Sequence, residues 1–298
     1  MIFFSIWAVT ATVILFLFGI RNRRIYRKIN MLLERLIEGR KMDDIPFNES
    51  ELSLFYNQLN AISQKLDYEI GRADLEKEQI KQLISNISHQ LKTPLANVMM
   101  YEELLEGKDL TKKQQSDFLH KLKTQTEKID WLLESLFKMS KLEHNVIEFD
   151  VKKAGIKETI RNAVSTVYEK AEEKDIDICV TEFEDIMLLH NPKWTLEVFV
   201  NLLENAIKYT SSGWIEISLE QLETYSIIHI KDTGIGISKE DIPYIFGRFY
   251  RSKKVEQTEG SGIGLYLSKM ILEKEKGYLT VQSELGKGSI FSVFLQNC

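Results

Sequence analysis

The chain has 298 residues, 44% hydrophobic and 28% charged, a globular balance that excludes a disordered or collagen-like polymer. Its 39 Lys and Arg against 44 Asp and Glu leave a net charge of −5, which argues against a nucleic-acid binder, whose domain would carry a basic face. Cys179 and Cys298 are far apart and match no metal spacing, so neither a disulfide framework nor a zinc site is expected.

Residues 2–20 carry no charge and are interrupted only by Ser5, Thr10 and Thr12. At about 1.5 Å per residue such a helix reaches roughly 28 Å, enough to cross a hydrocarbon core. Arg21, Arg23, Arg24, Arg27 and Lys28 follow at once. Positive charge on that side predicts a single-pass anchor over 1–20, with the N-terminus outside and the rest cytoplasmic. A secretory signal peptide would show the reverse polarity. With only Met1 ahead of the anchor, no outer domain is expected to read a soluble ligand. The signal is then expected through the span, through a membrane partner such as a transporter, or from the cytoplasm.

Ile25, Ile29, Leu32, Leu33, Leu36 and Ile37 recur with helical spacing; a break with Pro46 falls at 39–50, and a second stripe runs through Leu52, Phe55, Leu59, Ile62 and Leu66. Two such helices resemble a HAMP signalling module, and a plain coiled-coil stalk fits almost as well. A long helix is then expected with Ile80, Ile84, Ile87, Leu91, Leu95 and Val98 on one stripe, ending near Gly107. Thr111 is placed to cap the next, whose stripe is Leu119, Leu122, Thr126, Ile129, Leu133, Leu136 and Met139. A hairpin of two such helices cannot bury both seams alone, and pairing into a four-helix bundle is the economical solution. Past about residue 145 the pattern alternates. Helices are expected at 155–173, 192–209 and 262–276, and strands at 176–183, 214–219, 226–231, 278–283 and 289–295, an α+β domain with helices layered on a mixed sheet.

Four short runs carry chemistry. In Ser88-His89-Gln90-Leu91-Lys92-Thr93-Pro94-Leu95, His89 lies off the apolar seam and faces solvent. A lone surface histidine usually means nothing, but Pro94 removes an N–H and its ring crowds the carbonyl of Gln90. An exposed imidazole beside that disruption reads as a nucleophile for a large partner. Asn201, Asn205 and Lys208 fall on one helical face, amide oxygens suiting Mg²⁺ and an ammonium suiting phosphate, although alone they also read as a polar helix face. Asp232-Thr233-Gly234-Ile235-Gly236-Ile237 follows a strand, and Gly260-Ser261-Gly262-Ile263-Gly264-Leu265 precedes a helix, where bare backbone admits phosphate; either could be only a tight turn. The second run imitates a dinucleotide fingerprint but lacks the strand that motif needs. Between them Phe246-Gly247-Arg248-Phe249-Tyr250-Arg251 and a polar stretch read as a mobile lid with an aromatic anchor.

In this order the motifs resemble a membrane-bound sensor histidine kinase of a bacterial two-component system, over about residues 70–298. The resemblance implies a multidomain α plus α+β fold: a transmembrane helix at 1–20, a HAMP-like or coiled-coil linker at 21–70, a dimerisation hairpin at 71–145 and an α/β-sandwich ATP-binding domain of Bergerat type at 146–298. It implies His89 as the phosphorylated residue, Asn205 as Mg²⁺ ligand with Asn201 as helper, Lys208 on phosphate, and Tyr209 at the adenine. Asp232 would accept from the adenine amino group within the Gly234 and Gly236 turn. Gly260, Gly262 and Gly264 would close over the phosphates beside Leu265, and Arg248 or Arg251 would reach the γ-phosphate. The implied reaction is transfer from ATP to histidine, then to an aspartate on a response regulator, by a homodimer at the bacterial cell membrane in contact with lipid. Thr93 stands where the family orients a water for dephosphorylating the regulator, and its plain reading is a polar surface residue.

The chain departs from the family at Gln90, where an acidic residue commonly takes the second imidazole proton. A carboxamide is no base near pH 7. Water, a carboxylate elsewhere or simple deprotonation could cover the role, and phosphorylation is expected to be slower or more pH-sensitive than in a Gln90→Glu variant. The rival readings are a chaperone- or topoisomerase-like ATPase, which would lack the His89 run, and a degenerate scaffold without catalysis.

Overall fold

The computed structural model describes residues 2–37, 50–107, 110–143, 149–255 and 260–298. The break expected at 39–49, the middle of the inter-helix loop and the end of the expected lid lie outside these residues. The chain divides into two compact units, Met1–Ser85 and Asn86–Cys298.

In the first unit α1 runs Ile2–Ile37. Its early side chains, among them Trp7, Ile14, Leu15, Phe16 and Phe18, are exposed. Thr10 and Thr12 turn their hydroxyls back onto the carbonyls of Trp7 and Val9, each at 2.9 Å. Among the described residues no helix is long and apolar enough to cross a membrane. The span expected over 1–20 draws on residues 1–5 and 8, whose side chains lie outside the described residues. Helix α2, Ser50–Leu105, begins in this unit, and Leu32 and Leu59 bury one another with Phe55 and Tyr56 packed around them. The two helices expected over 52–66 and from about 80 onward are in fact one. Gly71 interrupts the pattern at only about 1 kcal/mol, while the exposed turns around it carry ion pairs at helical spacing, Arg72 with Glu76 at 3.2 Å and Lys81 with Glu78 at 3.2 Å.

The second unit opens with the rest of α2, which continues through a buried Pro94. It pairs with α3, Lys112–Glu143, through Asn97 and Gln125 at 3.4 Å and stacked Tyr101 and Phe118 rings. Thr111 starts α3 as a reciprocal cap: its N–H donates to Gln114 Oε1 at 3.0 Å, and Gln114 N–H donates back to Thr111 Oγ1 at 3.3 Å. The stripe buried within the chain is Leu132, Ser135, Met139 and Leu142, whereas Leu119 and Leu133 of the expected seam are exposed. The shift has a simple cause: the last turns of α3 lie against the helix Gly264–Lys274 of the following domain.

That domain is a seven-stranded sheet in the order β1-β3-β7-β5-β4-β2, with β6 on β7. The strands are β1 Lys152–Gly155, β2 Ile176–Val180, β3 Met187–His190, β4 Gly213–Gln221, β5 Tyr225–Asp232, β6 Tyr278–Glu284 and β7 Gly288–Asn297. Helices α4 (Ile156–Glu172), α5 (Pro192–Tyr209) and α6 (Gly264–Lys274) supply the other half of the core, where Phe199, Leu202, Leu203 and Leu267 meet Ile215, Ile228, Ile230 and Val293. The expected helices match to within a few residues. Strands β1 and β3 were not expected: Lys-Lys-Ala-Gly has no β-branched residue, and each is a four-residue piece made by pairing, β1 with β3 and β3 with β1 and β7.

The α5 and α6 ends are tied by one buried carboxyl. Asn191 caps α5 with its side chain, and its own N–H donates to Glu275 Oε1 at 2.9 Å. Thr195 Oγ1 also donates to Glu275 Oε1, at 2.8 Å. Burial pushes the Glu275 carboxyl up to about 7 against those two bonds.

Candidate functional site

Helix α5 is apolar on the face toward the sheet and polar on the other, and that polar face forms one wall of a cavity of about 440 Å³. Asn201, Asn205, Lys208 and Tyr209 line it from α5, Asp232 from the end of β5, and Gly260, Gly262, Gly264 and Leu265 from the start of α6. Arg251 and Asp241 close a third side, and Gln90, Lys128 and Trp131 reach it from the hairpin.

Asp232, at the end of β5, is buried. Its Oδ1 accepts from Gly234 N–H at 2.9 Å and from Ser289 N–H at 3.2 Å. Burial raises its pKa, hydrogen bonds from Gly234 and Ser289 oppose the rise, and the two backbone N–H groups fix the carboxyl in place. The turn after it needs glycine at Gly236, whose φ is 68° and where a Cβ would stand 2.1 Å from the Glu284 carbonyl oxygen.

Around the second glycine run the backbone is bare. A Cβ on Gly260 would lie 2.6 Å from Lys208 Nζ, and one on Gly264 would lie 3.2 Å from Asn201 Oδ1. Lys208 Nζ lies 4.7 Å from the Tyr209 ring centre. Asn201 Nδ2 is buried with no hydrogen-bond partner among the described residues. Two amides, an ammonium and a glycine ridge suit a triphosphate with a hard cation, and a fixed carboxylate at the far end suits an amino-substituted base. The residues present therefore fit Mg-ATP.

Between the two glycine runs, residues 239–249 are folded as turns. Phe249 takes the left-handed region at φ 61° and gives its N–H to the Gly262 carbonyl at 3.0 Å. Of the two candidate arginines only Arg251 lines the cavity. Arg248 instead pairs with Glu143 at the end of α3 and donates to the Tyr266 hydroxyl at 2.9 Å. His89 and Thr93 are exposed on α2 and do not line the cavity, while Gln90 does; Gly234 acts through its N–H on Asp232. Sequence reasoning passed over Asp241 and Ser289. For Asp241 a signal was present, because Ser238-Lys239-Glu240-Asp241 has capping-box spacing and Ser238 Oγ donates to Asp241 Oδ2 at 2.6 Å. Ser289 gives Asp232 its N–H, which no residue type advertises.

A family model described as "Histidine kinase-, DNA gyrase B-, and HSP90-like ATPase" matches residues 190–297. Alone it would leave the rival ATPases standing. A second, "His Kinase A (phospho-acceptor) domain", matches residues 79–145, the hairpin that holds His89. The chain belongs to the two-component sensor histidine kinases. Sensor histidine kinase RppB of Synechocystis sp. is 30% identical over 73% of this chain and 49% of its own length. The uncharacterized sensor-like histidine kinase ycf26 of Pyropia yezoensis is 33% identical over 73% of this chain and 36% of its own length. The chain thus spans half or less of these relatives. Among solved structures, that of histidine kinase ThkA in complex with response regulator protein TrrA has a TM-score of 0.61 at 20% identity, covering 78% of this chain and 66% of that one, a likeness of fold.

Proposed function

We propose that the chain is a homodimeric, membrane-anchored histidine kinase that phosphorylates His89 from Mg-ATP, passes the group to an aspartate of a response regulator, and also dephosphorylates that regulator. The observation that carries this reading is that the amides of α5, the Asp232 acceptor, the glycine ridge and Gln90, the neighbour of His89, border one cavity. An imidazole nitrogen of His89 would attack the γ-phosphorus as the bond to the ADP oxygen breaks. The bonding pair leaves on ADP, and the second ring nitrogen gives its proton to solvent. Bound Mg²⁺ would supply divalent charge against the phosphate oxygens. Asn205 would hold that ion, with Asn201 behind it. Lys208 and Arg251 would offset phosphate charge, and Asp232 would orient the base; such positioning and neutralisation is what phosphoryl transfer asks of a protein. The uncharged stretch 2–20, the exposed apolar side chains of α1 and the Arg cluster after it support the anchor.

The test is labelling of the purified full chain with γ-labelled ATP and Mg²⁺. Acid-labile, alkali-stable label is expected, absent from His89→Gln and Asn205→Ala. Label that survives His89→Gln, or none despite nucleotide binding, overturns the kinase reading.

A further inference from the structure

Asp241 is a hub outside the four runs that carry the nucleotide and histidine chemistry. Its Oδ2 accepts from Ser238 Oγ at 2.6 Å and from Ser252 Oγ at 2.8 Å, and its Oδ1 accepts from the Tyr250 hydroxyl at 2.6 Å. Tyr250 and Ser252 are the two residues that flank Arg251. One carboxylate therefore grips the chain on both sides of the cavity's arginine, while the Phe249 N–H bond to Gly262 pins the same segment one step earlier. On its far side Ser252 Oγ also lies 3.3 Å from Lys254 N–H, at the start of the short turn Lys253–Val255, whose Val255 carbonyl receives Arg251 Nη2 at 2.9 Å. Asp241 thus holds the backbone on both sides of Arg251, and the Val255 carbonyl holds its side chain. The three bonds also leave their mark on the groups themselves: they hold Asp241 below the usual carboxylate range, and Asp241 in turn pushes the Tyr250 phenol up to about 12.

We infer that Asp241 is a positioning residue for phosphoryl transfer, fixing the segment 249–255 so that the Arg251 guanidinium faces the γ-phosphate. The inference rests on the kinase reading and deepens it. Charge near a transferring phosphoryl group acts only if it is placed before the reaction, and a misplacement of about 1 Å can cost on the order of a hundredfold. A flexible arginine on an unanchored loop would meet the nucleotide only part of the time.

The full chain is compared with Asp241→Ala, Asp241→Asn, Arg251→Ala and the double variant Asp241→Ala/Arg251→Ala. Asp241→Ala is expected to lower the maximal rate of His89 labelling about ten- to a hundredfold while KM for ATP changes little, as fits a group that acts on the transition state. The double variant should fall no further than Arg251→Ala, because the carboxylate acts through the arginine. Asp241→Asn, which keeps an acceptor oxygen, should recover part of the loss. In nucleotide-free protein, amide hydrogen exchange across 251–255 should quicken in Asp241→Ala and not in Arg251→Ala. Unchanged exchange, additive losses or an undiminished rate in Asp241→Ala each overturn the proposal. A wild-type chain without label at His89 refutes the kinase reading instead, and the exchange result still decides whether Asp241 holds the segment.

Discussion

Gln90 is the residue at which chemistry and sequence pull apart. It stands next to His89 on α2 and borders the cavity, where a carboxylate could take the proton that the second ring nitrogen must lose. The cavity's own carboxylates are all engaged: Asp232 by two backbone N–H groups, Asp241 by three hydroxyls, and Glu204 by an ion pair with Lys170. Among the described residues lining the cavity no base is therefore left over, and solvent is the remaining acceptor. Gln90→Glu is expected to raise the labelling rate by roughly tenfold or more, toward the range usual for a placed general base, and to flatten its dependence on pH between about 6 and 8. Equal rates and equal pH profiles in the two proteins would show that the proton transfer never limits the reaction.

At the scale of elements, α5 forms one wall of the cavity and the first residues of α6 border it, and Glu275, just past the end of α6, ties that end to the start of α5. Its folded pKa of about 7 lies above the ordinary 4.5. A carboxyl raised on folding adds stability while it stays protonated, fully below its unfolded value, and that contribution is lost as pH rises through the folded value. The domain should lose up to about 3 kcal/mol between pH 4.5 and 7 from this group alone. Glu275→Gln removes the titration, so the melting temperature of the wild type, measured against that variant, should fall across that interval. A constant difference between the two would mean that folding does not raise the Glu275 pKa. Elements of this kind were unevenly legible. The helices were readable because apolar period and stop signals agree over many residues, as in α5 from Pro192 to Tyr209. Strands β1 and β3 were not, since what makes them strands is each other. The cavity's motif residues could be named in advance because amides, glycines and an aspartate are chemically conspicuous. Its third wall depends on hydroxyls converging on Asp241 across turns, and convergence is invisible until the chain is folded.

For the whole molecule, one hairpin leaves Leu95, Met99 and Leu104 of α2 and Leu119, Leu133 and Phe137 of α3 in solvent. Apolar rows on paired helices seek a second copy, and a symmetric bundle of two hairpins is the closed arrangement that covers them. Separating the anchor from the pairing surface gives a single experiment: a chain lacking 2–20 should leave the membrane fraction for the supernatant and still weigh as a dimer by light scattering. Full-length protein in the supernatant would refute the anchor, and a monomeric truncated form would refute the hairpin as the pairing surface.

Strand β7 lies inside the sheet, bonded to β5 on one side and to β3 and β6 on the other, and its Ser289 N–H is one of the two that hold Asp232. It is also the stretch of the described domain that leaves the ribosome after all the rest. A growing chain can present α5, β5 and both glycine runs for many residues of synthesis without a completed core or a fixed purine acceptor. Nucleotide competence thus waits on β7: a chain that stops before it lacks both the central strand of the sheet and one of the two N–H groups that hold Asp232.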